Sequence, residues 1–143
     1  MLTALTMPLL VPIVVYLATA LGAGLSPGEA VGALRGQFLG RPNLMATTLL
    51  GVAPIALFTG VLRLLRRRDP EGRWLGLVGW SGLVPALVVL IWANAEVWPL
   101  HMPGRGFPGF PHGLELVIAP IIFVPIALIL GGLAGAILSR GRD

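Results

Sequence analysis

The residues best suited to chemistry lie in one stretch, from Glu96 to Glu115, which reads EVWPLHMPGRGFPGFPHGLE. This stretch holds both histidines of the chain and two of its six carboxylates, between two long apolar runs. Imidazole and carboxylate groups are suitable ligands for zinc, iron or copper. One hypothesis is therefore a metal or acid–base site in a membrane enzyme, with Glu96, His101, His112 and Glu115 as its candidate ligands.

A plainer interpretation of the same residues competes with the metal site, and we favour it. The spacing of the four groups matches no strong metal-binding motif, and Gly113 interrupts the helical spacing between His112 and Glu115. A carboxylate such as Glu115 also suits the positive end of a helix dipole without binding anything. The sequence therefore predicts no catalytic residue and firmly implies no cofactor.

The segment between the histidines is rich in proline and glycine, so it suits neither a regular helix nor a strand. Loops held between rigid elements often carry binding functions. We therefore predict that an outer loop, 96–113, recognises a partner protein. Its candidate contact residues are Trp98, Arg105, Phe107 and Phe110.

Composition points to a membrane protein and leaves no room for a separate soluble domain. Of the 143 residues, 56% are hydrophobic and 11% are charged, whereas soluble domains carry about 25% charged residues. A helix needs about 20 apolar residues to cross a bilayer. The sequence therefore predicts an all-α integral membrane protein, a single domain over 1–143, with four spans at about 5–25, 44–65, 74–95 and 114–138.

A fifth helix is predicted over 27–38, between the first two spans. Ser26, Pro27 and Glu29 fit a helix cap, the first helical position and the third. Apolar residues such as Val31 and Leu34 recur at helical spacing opposite polar ones. We expect a short amphipathic helix lying at the membrane interface.

Arginine placement predicts the orientation of the chain, which contains no lysine. Cytoplasmic connections of membrane proteins carry an excess of positive charge. If both termini lie inside, most arginines also lie inside, and the 96–113 loop lies on the outer face of the inner membrane. The cluster Arg66, Arg67 and Arg68 then lies near lipid headgroups, as a topology signal and not as a nucleic-acid site.

Small residues and prolines predict how the spans pack. Gly22, Gly131 and Gly135 stand in small-x-x-x-small patterns that let helix backbones approach closely in lipid. The triplet Leu10-Val11-Pro12 recurs as Leu83-Val84-Pro85, and Pro54-Ile55-Ala56-Leu57 recurs at 125–128. This similarity suggests two helical hairpins related as a parallel repeat, within a four-helix bundle.

One segment, from Pro27-Gly28-Glu29-Ala30 to Thr59-Gly60, resembles a stretch of sugar-type ABC-transporter permeases. No function is drawn from that resemblance. The leading hypothesis is instead a non-catalytic subunit or assembly partner of a larger membrane complex, in contact with the lipid bilayer and with other chains or copies of itself. A carrier or binding protein for a small or lipid-like molecule is the alternative, and a membrane enzyme the second alternative.

Overall fold

A computed structural model of the chain describes residues 2–39, 50–68, 74–102 and 114–140, with side chains from residue 6 onward and not at 115. Of these residues 93% are helical and none lies in a strand, so the predicted all-α class is confirmed for the described part of the chain. The long helices are α1 (Leu2–Gly22), α2 (Pro27–Leu39), α3 (Val52–Arg68), α4 (Trp74–Val97) and α5 (Val124–Arg140).

Two of the helical stretches are long and apolar enough to cross a membrane, namely Trp74–His101 and Leu116–Arg140. They correspond to the last two predicted spans. A third apolar helix, Thr6–Gly22, is shorter, and the predicted span 44–65 lies only partly within the described residues, in α3. Two apolar helices are compatible with a membrane protein, and four spans are not shown.

The turn between α1 and α2 consists of two helix caps placed back to back. Gly24 has φ +90°, a left-handed conformation that glycine adopts without strain. The Leu25 N–H donates to the Ala20 carbonyl at 3.1 Å, and the Gly24 N–H donates to the Leu21 carbonyl at 3.0 Å. These two bonds form a Schellman cap, which ends α1. Ser26 then caps α2, which begins at Pro27 as predicted.

The most extensive contact within the described chain joins α4 and α5, which run antiparallel. A Cβ atom added to Gly131 would lie 2.0 Å from the Ser81 carbonyl oxygen, and one added to Gly135 would lie 2.9 Å from the Cα of Val78. A Cβ on Gly82 would lie 2.7 Å from the Phe58 ring of α3 and 3.0 Å from the Leu128 carbonyl oxygen of α5. The two backbones are therefore in direct contact, which only glycine permits at these positions.

Proline explains why the Ser81 carbonyl can accept this contact. Pro85 has no N–H, so the carbonyl of Ser81 lacks its usual donor four residues later. The Cα–H of Gly131 occupies the direction of the missing Cβ and points at that oxygen. On the other side, the Leu128 carbonyl oxygen lies 3.0 Å from the Cβ position of Gly82. Such Cα–H···O contacts recur where helices pack closely, at about 0.5–1 kcal/mol each.

A π-helical segment, Ala119–Phe123, precedes α5 and follows an α-helical turn, Glu115–Ile118. The Val124 N–H donates to the carbonyl of Ala119, five residues earlier. The Pro120 carbonyl therefore loses its α-helical donor, and Pro125 has no N–H to replace it. Two prolines five residues apart thus account for the widened turn.

Helix α4 occupies the centre of the fold, because it contacts α1, α3 and α5. One buried core lies at its middle and is built from Ile55, Leu83, Ala86, Leu90, Val124 and Leu128. A second core lies at its C-terminal end. The close pairing of α4 with α5 has no equal in α1 and α3, which touch much less. The internal repeat stays a prediction.

Candidate functional site

Four elements meet at the C-terminal end of α4, in a group of side chains that we call the aromatic cluster. Its members with polar atoms are Tyr16 of α1, Asn94 of α4, and Trp98 and His101 of the 3-10 turn that follows α4. Apolar side chains enclose these residues: Ala20, Ala30, Val97, Met102 and Leu116. The cluster therefore contains the first part of the stretch that the sequence singled out.

Trp98 is fully buried, and its polar edge is satisfied by Asn94. The indole Nε1–H donates to Asn94 Oδ1 at 2.8 Å, and Asn94 Nδ2 donates to the Leu90 carbonyl at 2.8 Å. The three residues are spaced four apart, so they follow one another along one side of the helix. Asn94 is only 1% exposed, so these two bonds compensate most of the cost of burying its amide.

Tyr16 packs against Trp98 from α1. Their ring centroids are 5.1 Å apart with an interplanar angle of 81°, an edge-to-face contact. Such pairs contribute about 0.5–1.5 kcal/mol beyond the area they bury. The Tyr16 hydroxyl is buried, and within the described part of the chain no atom forms a hydrogen bond with it. Gln37 of α2 is the nearby polar side chain.

His101 closes the cluster on the side where the loop begins. Its Nδ1 lies 2.9 Å from the Val97 carbonyl, and its ring centroid is 6.3 Å from that of Trp98. Because a carbonyl can only accept a hydrogen bond, Nδ1 carries the proton in this contact. In the neutral ring, Nε2 then carries the lone pair. His101 is therefore held by the end of α4 through its Nδ1.

The predicted metal ligands are only partly within the described chain. Glu96 is exposed on the last turn of α4, and His101 lies in the aromatic cluster. His112 lies outside the described residues, and of Glu115 only the backbone is described, at the start of a helical turn. Within the described residues no three potential metal ligands group together. The metal site stays a prediction that the described geometry does not assemble.

Of the four predicted partner-contact residues, the structure describes only Trp98. Arg105, Phe107 and Phe110 lie outside the described residues. Trp98 is 0% exposed, so the structure places it in the core and not on a surface facing a partner. Its part is to hold the start of the loop in place. Met102 and Leu116, on either side of 103–113, are both buried in the aromatic cluster, so both ends of the loop are anchored there.

The predicted packing glycines and topology arginines have distinct surroundings. Gly131 and Gly135 contact the backbone of α4, whereas a Cβ on Gly22 would meet nothing within 4 Å. Arg66, Arg67 and Arg68 form the exposed last turn of α3.

Helix α2 covers one side of the aromatic cluster with Ala30, and its start is held by Glu29. The Glu29 carboxylate accepts from the Ser26 hydroxyl at 2.6 Å and from the Ser26 N–H at 2.8 Å. These hydrogen bonds lower the pKa of Glu29 below its ordinary value. The capping box predicted from Ser26 and Glu29 is thus confirmed.

Sequence inspection did not find the partners of these residues. Tyr16 carries no local signal that ties it to Trp98. Usable signals existed for Asn94, which stands four residues before Trp98, and for Gly82, which shares one helix face with Gly79 in a helix that also contains Pro85.

Comparison with protein-family models, with curated proteins and with solved structures finds no match to this chain.

Through its described residues, the aromatic cluster therefore holds parts of the fold together. It joins α1, α2, α4 and the start of the last helix into a single packed unit and holds the ends of 103–113 against that unit. Its hydrogen-bonding groups serve mostly one another, since Trp98, Asn94 and His101 all bond within α4 and its 3-10 extension.

Proposed function

We propose that the protein is a non-catalytic subunit or assembly partner of a larger membrane complex. The observation that carries this proposal is the anchoring of Met102 and Leu116 in one buried cluster. A proline- and glycine-rich segment whose ends are fixed loses less conformational entropy when it binds a partner. Phe107 and Phe110 are then the proposed anchors, since aromatic side chains dominate binding energy at interfaces.

The close α4–α5 contact supports the same proposal. Backbone contact through Gly82, Gly131 and Gly135 makes this pair a stiff unit on which a loop can be presented. The opposite side of α5 exposes large apolar residues, including Leu133 at 57% and Ile137 at 70%. In the proposed arrangement of four spans, with both termini inside, lipid or a partner helix covers this side.

Affinity purification of the full-length tagged protein from its own membranes, in mild detergent, tests the proposal. We expect a reproducible set of co-purifying chains. We expect Phe107→Ala with Phe110→Ala to reduce their yield at least about tenfold, because the loss of even one of these two anchors would weaken binding by about that factor. Phe123→Ala is the matched control, because Phe123 is 44% exposed in the π-helical segment and lies outside the loop. A stable monomer with no associated chain would contradict the proposal.

Cysteine cross-linking separates a foreign partner from a second copy. The chain has no cysteine, so a single introduced thiol reports one position. Leu133→Cys on the exposed side of α5 is compared with Leu128→Cys, which is 3% exposed. A cross-linked band at twice the monomer mass from Leu133→Cys alone indicates self-association, and a band of another mass indicates a different chain. No band from either variant in native membranes argues against a helix partner on this face.

A further inference from the structure

A cleft opens at the end of the molecule opposite the aromatic cluster, between the start of α4 and the last turn of α5. It has a volume of about 260 Å³ and is lined by Trp74, Ala136, Ser139 and Arg140. A water molecule occupies about 30 Å³ in the liquid. The cleft is therefore large enough for a tetrahedral anion with several waters.

The charge around this cleft is positive. Arg140 is exposed, and the two carboxylate side chains that the structure describes, Glu29 and Glu96, lie on α2 and at the far end of α4. The antiparallel helices bring the basic last turn of α3 to this same end. Seven of the ten arginines flank this end in the sequence, against three acids: Arg63, Arg66, Arg67, Arg68, Arg73, Arg140 and Arg142.

The lining groups fit a phosphate ester better than a simple anion. A guanidinium group such as that of Arg140 binds two phosphate oxygens at once. Trp74 offers a flat apolar wall that is 40% exposed, and tryptophan favours the boundary between lipid and water. The Ser139 hydroxyl donates to the Ala136 carbonyl at 2.7 Å and can turn toward a phosphate oxygen. Exposed Ile137 and Leu133, one and two turns from Arg140 on α5, suit acyl chains.

We propose that this cleft binds the phosphate headgroup of an anionic phospholipid, with Arg140 on the phosphate and Trp74 beside the glycerol. The proposal requires only that the chain lies in a membrane, and it is independent of any partner at the 96–113 loop. It differs from a general attraction of arginines to the membrane surface, because it assigns one lipid to one cleft.

Native mass spectrometry of the purified full-length protein tests the proposal, with phosphatidylglycerol and phosphatidylcholine offered in equal amounts. We expect wild type to retain one phosphatidylglycerol in preference to phosphatidylcholine. We expect Arg140→Gln to weaken that retention about fivefold, the effect of one arginine near an anionic headgroup. Arg35→Gln is the matched control, because it removes the same charge from exposed α2, and it should leave retention unchanged.

A second pair of variants separates the cleft from bulk charge. Trp74→Phe should weaken phosphatidylglycerol retention, whereas Trp80→Phe, at a residue 59% exposed along α4, should not. Equal losses in Arg140→Gln and Arg35→Gln would overturn the proposal, as would retention of the two lipids without preference. Displacement of the lipid by millimolar inorganic phosphate would assign the cleft to a free anion and would also overturn it. Circular dichroism of each variant verifies that its helices remain folded.

Discussion

At Gly131 the main chains of two helices come closer than any side chain would allow. A methyl group there would stand 2.0 Å from the Ser81 oxygen, and backbone cannot move aside as a flexible side chain can. We therefore expect Gly131→Ala to push α4 and α5 apart and to cost about 1–3 kcal/mol, as overpacked cores do.

Thermal unfolding in detergent, followed by circular dichroism, measures this cost. Gly60→Ala is the control, because Gly60 is also helical and a Cβ there would meet nothing within 4 Å. Removing a helical glycine at such a site should stabilise the protein by up to about 1 kcal/mol. The close-contact interpretation fails if both variants unfold at the same temperature.

The hydrogen bond between Trp98 and Asn94 should behave as a coupled pair. Asn94→Leu leaves the buried indole N–H without its acceptor, and Trp98→Phe leaves the buried amide oxygen without its donor. Each should lower the free energy of unfolding by about 1–3 kcal/mol. The double variant removes both polar groups together, so its loss should be smaller than the sum of the two single losses. Denaturant unfolding of the four proteins gives the coupling energy, and strict additivity would show that the bond contributes nothing.

At the scale of elements, the start of α2 should depend on pH through Glu29. The pKa of this carboxyl is lowered in the folded protein by its hydrogen bonds to Ser26. Its contribution is therefore complete above the ordinary pKa of 4.5 and is lost as the pH falls through the lower folded value. Hydrogen exchange at the Ala30 amide, which donates to the Ser26 carbonyl at 2.9 Å, reports the first turn of the helix.

We expect the protection factor of that amide, corrected for intrinsic exchange, to fall in acid. Glu29→Gln cannot ionise, so its protection should not change over the same range. An identical acid response in both proteins would mean that some other group controls the start of α2.

Helix ends were the elements most accessible from sequence. Ser26, Pro27 and Glu29 predict the start of α2 because a cap is built from neighbours in the chain. The π-helical segment was less accessible, since Pro120 and Pro125 predict a bend but not the way the backbone accommodates it.

At the scale of the whole molecule, the sequence predicts the helical class but not which helices meet. Tyr16 and Trp98 stand more than eighty positions apart, and no local pattern links them. Gly131 predicts a close approach without naming Ser81 as the site it touches. Of the four predicted spans, only the last two meet the length and hydropathy that crossing a bilayer requires within the described chain. Arg105, Phe107, Phe110 and His112 lie outside the described residues, so their proposed roles remain predictions.

The proposed orientation can be measured with single cysteines. Gly28 is exposed and a Cβ there would meet nothing, while Ser139 lies at the opposite end, in the last turn of α5. In intact cells we expect a membrane-impermeant maleimide to label Gly28→Cys at least about tenfold faster than Ser139→Cys, because arginine-rich connections stay on the cytoplasmic side. Permeabilised cells should label both. The reverse pattern would invert the topology, and the lipid cleft would then face outward.

The contact between Gly131 and Ser81 also determines how the last helix can move. Because Gly131 and Gly135 both contact the backbone of α4, sliding by one residue would lose both contacts, so we expect any remaining motion of the last helix to be a small tilt about Gly131. Measured along the helix at about 1.5 Å per residue, Glu115 lies about 24 Å from Gly131 and Arg140 about 13 Å. A small tilt about Gly131 would therefore displace the end beside the loop nearly twice as far as the end that carries Arg140.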